Sequence, residues 1–173
     1  MGEPVPEVPG EPTVTLRDIA SFRPSIGGDV MEPNGWAVVG LPANFVSSTS
    51  GPQTRAGSLL GRPAAVRFTP VGYAWASSDG GRAASAGPGA TWSQLGLREF
   101  TATDTSLVFE RSGTFEVRPT ITFAAEYRFD GSAWRAIDGT LEVPAAPRSV
   151  LVGEFDTVLV AGDCHARPDG PGC

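Results

Sequence analysis

A chain of 173 residues with a net charge of -6 and a pI near 4.7 has room for one good hydrophobic core, about one domain. All thirteen basic residues are arginine, spread singly along the chain, so nothing concentrates the positive charge that a nucleic-acid groove requires, and nucleic acid is excluded as a partner. The 22 glycines and 16 prolines suit a protein of many strands and turns, and no stretch keeps an i, i+3, i+4, i+7 apolar pattern for three turns without Gly or Pro, so helix is a minor component.

Residues 1–12 form an acidic, proline-rich lead whose composition denies it a packed core and makes it a tether. Its start, Met1-Gly-Glu-Pro, lacks the basic-then-apolar order of an export signal, and the reading is of a leader already removed. One domain is expected over residues 13–161, followed by a short tail, 162–173. Leu16 to Phe22 reads as a short helix or turn, with Thr13–Thr15 ahead of it as a possible edge strand, and a Gly/Pro-rich crossing follows. Strands are predicted at Trp36–Leu41, Ala65–Thr69, Thr114–Val117, Thr120–Phe123, Leu141–Val143, Val150–Val152 and Thr157–Val160, several of them alternating apolar with polar. Asp79-Gly80-Gly81 and Ser112-Gly113 carry the turn chemistry of reversals, the second opening a β-rich run from Thr114 to Phe129. Tyr73 and Trp75, two apart on an extended segment, share one face, and that face is the core.

The segment from Gly80 to Asp104 is longer than a hairpin turn needs, and loops of that size tend to be functional or disordered. Trp92, Leu95, Leu97 and Phe100 argue against disorder. Two expectations follow: the segment caps the end of the fold, or it forms an interaction site with Trp92 as anchor and Leu95 beside it. Trp134, next to the Asp130-Gly131 turn, is the second aromatic candidate for a partner surface.

In the tail, Cys164 and Cys173 are separated by eight residues rich in turn formers, which favours a disulfide-closed loop worth roughly 2–3 kcal/mol at most. Two free thiols, or a metal site adding His165, are the alternatives, though a structural zinc wants four ligands. A disulfide places the protein in an oxidising compartment, outside the cell or on its surface. No apolar stretch approaches the length of a membrane span. The lysine-free, Ala-, Gly-, Pro- and Arg-rich composition is that of a GC-rich genome, such as an actinobacterial one.

His165 is the sole histidine, so a Ser-His-Asp or Cys-His arrangement would depend on a residue of the tail, and no Gly-x-Ser-x-Gly or phosphate-cradling loop is present. Asp79, Asp104 and Asp130 flank turns, as calcium-binding carboxylates do, but without an Asp-x-Asp-x-Asp run. The expectation is no enzyme, no metal and no cofactor.

Two motifs carry a likeness. Tyr73-Ala-Trp75 is followed four residues later by Asp79-Gly80, and Phe109-Glu-Arg-Ser-Gly113-Thr-Phe115-Glu-Val117 comes after it. In that order they resemble the PKD family of immunoglobulin-like domains, over about Leu41 to Val160. The family turn usually reads Trp-Asp-Phe-Gly-Asp-Gly, and Phe109 and Phe115 stand where it carries tyrosines. The resemblance implies an all-β, immunoglobulin-like β-sandwich and a non-catalytic extracellular or surface module, an interaction or spacer element whose partner is a protein or envelope component. A carbohydrate-binding module using exposed tryptophans and a small hydrolase are the rival readings.

Overall fold

Ten strands and one helical turn lie within residues 13–154, the part of the chain that the computed structural model describes. In chain order these are β1 (Asp29–Glu32), β2 (Trp36–Val38), β3 (Pro42–Ser47), β4 (Gln53–Leu59), β5 (Arg62–Ser77), β6 (Arg82–Ser85), α1 (Trp92–Leu95), β7 (Ser106–Val108), β8 (Gly113–Phe129), β9 (Arg135–Pro144) and β10 (Arg148–Gly153). The protein is all-β. The lead 1–12, the strand expected at Thr157–Val160, and the tail with Cys164, His165 and Cys173 lie outside the described residues.

Side-chain alternation builds the centre of the molecule. Along β8, Phe115, Val117, Pro119, Ile121, Phe123, Ala125, Tyr127 and Phe129 are all buried. Each large apolar group in this row contributes about 1.5–3 kcal/mol by leaving water. β5 pairs with β8 along its length, but its buried residues change parity: Ala64, Val66 and Phe68 are even, Tyr73, Trp75 and Ser77 odd. A bulge makes the change. Pro70 faces Phe123 and Gly72 faces Thr122, so Val71 is left over and exposed, and the strand resumes with Tyr73 pointing where an unbroken ladder would have pointed Gly72.

β5 and β8 form the spine of a seven-stranded sheet. On the far side of β5 lie β4 and then β6; on the far side of β8 lie β10 and then β9. Pro119, which has no N–H to donate, falls where β8 changes partner from β10, paired up to Val117, to β9, paired from Thr120. β2 completes the sheet as an edge strand running parallel to β10. The N-terminal residues cover the β4–β9 end: Leu16 lies over Gly139, and a Cβ on Gly57 would stand 2.9 Å from the Phe22 ring, so only glycine admits Phe22 there. From that end to Gly153, next to the start of β8, is a strand path of about 40 Å.

The helix or turn expected at Leu16–Phe22 is a run of turns closed by Asp18 N to Thr15 O, Ala20 N to Arg17 O and Phe22 N to Ile19 O bonds. Thr13–Thr15 is not a strand; the Thr15 N–H and hydroxyl both donate to the Asp18 carboxylate, at 2.8 and 2.7 Å, and hold its pKa below the usual value.

The second sheet has three strands in the order β1-β3-β7. Its inward residues Met31, Ala43, Phe45 and Leu107 join those of the larger sheet in one apolar cluster. Arg148 of β10 ties the sheets at their edge: its guanidinium reaches the Asp29 carboxylate at 3.2 Å and the Asp29 carbonyl at 2.6 Å.

Candidate functional site

The residues of the two motifs are structural. Trp75 is 1% exposed on β5, and its ring stacks on that of Tyr73, with centroids 6.4 Å apart. The Tyr73 hydroxyl donates to the Thr49 carbonyl at 2.7 Å, and burial raises its pKa above the ordinary phenol value. Asp79 and Gly80 make the β5–β6 reversal: Asp79 Oδ1 accepts from Gly81 N, and Gly80 N donates to Ser77 O. Phe109 and Phe115 stack at 5.7 Å and, with Val117, belong to the core; Gly113 opens β8.

The Gly80–Asp104 segment is ordered as a cover. It begins with β6 and carries the one-turn helix α1, started by a capping box in which Thr91 and Gln94 each bond the other's backbone. The cover lies over the outer face of the three-stranded sheet and is pinned through Asn44. This residue is fully buried although it alternates with inward Ala43 and Phe45. Its Nδ2 donates to Glu32 Oε2 at 2.8 Å and the Ala90 carbonyl at 2.9 Å; its Oδ1 accepts from the hydroxyls of Thr103 at 2.7 Å and Thr105 at 3.2 Å. Every hydrogen-bonding capacity of the amide is used. At Gly89, φ is +78° and a Cβ would meet the Phe45 carbonyl oxygen at 2.8 Å, so the cover approaches β3 as closely as it does only because glycine stands there.

Trp92, the expected anchor, is 4% exposed, and its Nε1 donates to the Thr101 carbonyl at 2.8 Å. The ring is spent on its own chain, beneath the cover, so Trp92 is not an exposed anchor. Leu95 is exposed and borders a shallow cleft between residues 84–90 and Thr103–Thr105. Trp134 sits at the other end of the molecule, half-buried, with the guanidiniums of Arg67 and Arg128 over its ring at 4.4 and 4.6 Å and Arg67 paired to Glu126 at 2.7 Å. The structure therefore does not bring Trp92 and Trp134 together.

Beside the cover is a cleft of about 590 Å³ that sequence reasoning missed. Trp36, 41% exposed, forms one wall with Pro33 and Asn34; Leu97, 40% exposed, and Glu99 form the other; Glu32 lies between. Phe100 locks the walls together, with its ring 6.2 Å from Trp36 and 5.6 Å from Trp92. It does so at φ +60°, a left-handed conformation costing an aromatic residue roughly 1–2 kcal/mol. Glu32 is held by one oxygen: Oε2 accepts from Asn44 Nδ2 and from Trp92 N–H, both at 2.8 Å, and the residue lines the cleft. On the outward face of the larger sheet Trp36 is the register partner of Leu151, itself 61% exposed, so the apolar surface continues onto β10.

Among the described residues no three His, Cys, Asp or Glu side chains are grouped closely enough to hold a metal ion. Asp79 and Asp104 border separate clefts, and Asp130 borders neither. No described helix is long and apolar enough to cross a membrane. No family model, curated protein or solved structure matches this chain.

Proposed function

We propose that the chain is a non-catalytic module of immunoglobulin-like, PKD-type architecture that works outside the cell, holding a partner-binding end away from its point of attachment. The partner is a protein or a component of the cell envelope. One observation carries the reading: the described chain enters at the β4–β9 end and leaves at Gly153 beside β2, about 40 Å along the spine, at the same end as the Trp36 cleft. Entry and exit at opposite ends suit a spacer, and exposed apolar groups around a cleft on a rigid sheet suit a binding face.

Strand order supports the sandwich assignment. β1-β3-β7 opposite β10-β8-β5 corresponds to the A-B-E and G-F-C strands of an immunoglobulin-like sandwich, and Trp75 occupies β5, the C position, where such domains bury a tryptophan. A sugar-binding face has less support: Trp92 is buried, and guanidiniums already engage the Trp134 ring.

The test is binding of the purified chain to intact cells of its source, alone and as the double variant Trp36→Ser, Leu151→Ser. Binding weakened about tenfold or more by a double variant that still unfolds cooperatively is expected. Unchanged binding by the folded variant, or turnover of a peptide, ester or glycoside substrate by the wild type, would overturn the proposal.

A further inference from the structure

Building on the interaction reading above, we infer that the Trp36 cleft takes a cationic side chain of the partner, an arginine or lysine flanked by an apolar residue. Glu32 and Glu99 both line the cleft, and among the described residues no basic side chain does. Arg98, between Leu97 and Glu99 in the chain, does not line the cleft, and the Arg148 guanidinium, which reaches the cleft residue Asn34 at 3.1 Å, is paired to the Asp29 carboxylate. Glu32 lines the cleft and is preorganised there, since two donors, Asn44 Nδ2 and the Trp92 N–H, hold its Oε2. The exposed Trp36 indole supplies a π surface for a cation, and Leu97 supplies an apolar contact for the neighbouring residue or for the methylene stem. Two carboxylates lining the cleft with an exposed indole select a charged head on an apolar stalk; an anion is repelled, and a neutral apolar group leaves the charge of Glu32 and Glu99 uncompensated.

The probe is a blocked leucyl-arginyl-glycine peptide titrated into isotope-labelled full-length protein, with the Trp36 indole N–H and the Leu97 and Glu99 amides followed by NMR. Saturable shifts at those three residues are expected. Affinity should fall about tenfold when citrulline, neutral and of nearly the same shape, replaces arginine. It should fall about threefold or more in Glu99→Gln, and further in Glu32→Gln, whose amide oxygen still accepts from Asn44 and Trp92 and so preserves the cover. Equal affinity for the arginine and citrulline peptides, shifts centred elsewhere, or no shift at any peptide concentration overturns the assignment. Cell binding that still depends on Trp36 and Leu151 while the arginine peptide fails would dismiss the cationic ligand and leave the interaction module standing; loss of both would dismiss both.

Discussion

Replacing Asn44 with alanine should release the cover that shapes the Trp36 cleft. The amide makes four hydrogen bonds in a fully buried position, two of them to groups with little else to turn to. The Ala90 carbonyl loses its amide donor, and the Thr105 hydroxyl, itself 1% exposed, retains only Thr103 at 3.4 Å. Glu32 keeps Trp92 N–H, and Thr103 keeps Ser106 at 3.0 Å, so those two losses are cheaper. At about 1 kcal/mol net for each bond, and more for each group left buried and unpaired, the sum is about 3–5 kcal/mol. A chain of this size should then melt about 6–20 °C lower. Urea denaturation of Asn44→Ala, Thr105→Val and the double variant forms a mutant cycle, and hydrogen exchange at the Trp92 indole reports the cover directly. A loss for Asn44→Ala below about 1 kcal/mol would refute the pinning argument. Additivity of the two substitutions within about 0.5 kcal/mol would do the same, since groups in direct contact should couple.

Deleting Val71 should close the bulge into an unbroken β5 ladder in which Tyr73 and Trp75 keep their β8 partners and still face the core, so the variant should keep a cooperative unfolding transition, and Val71→Ala at this exposed position should change stability by less than about 0.5 kcal/mol; circular dichroism melts of the two decide it. Trp75→Ala should cost about 3–5 kcal/mol in urea denaturation. Trp75→Phe should cost clearly less, because the buried indole Nε1 has no partner to lose. Tyr73 titrates above its ordinary value of 10.0 when folded, so its contribution is fully present below about pH 10 and is lost as pH rises through the folded pKa; Tyr73→Phe should flatten that alkaline fall in melting temperature.

β8 was legible because one apolar residue in two recurs from Phe115 to Phe129 without interruption, a pattern that needs no knowledge of its neighbours. The burial of Tyr73 and Trp75 was legible for the same reason within their own stretch. The Val71 bulge was not read, although Pro70 and Gly72 flanking one residue are the composition of such a break. β4, reading Gln-Thr-Arg-Ala-Gly-Ser-Leu, has no apolar alternation; it is a strand because β5 offers it an edge. Asn44 and Glu32 were invisible in principle, since their bonds run to residues up to 61 positions away. The prominence of Trp36 depends on which face β2 turns outward, and pairing with β10, more than a hundred residues later, decides that. Trp92 misled as an anchor candidate because a large aromatic on a long segment looks alike whether it greets a partner or fastens the segment down.

The two long central strands also bear on how the molecule carries tension. A pull applied between Val14 and Gly153 would run nearly along β5 and β8, whose pairing is continuous but for one bulge. Ladder bonds lying across the direction of pull are loaded together in shear, whereas a hairpin pulled from its open end gives way one bond at a time. Such a strut would yield late and all at once.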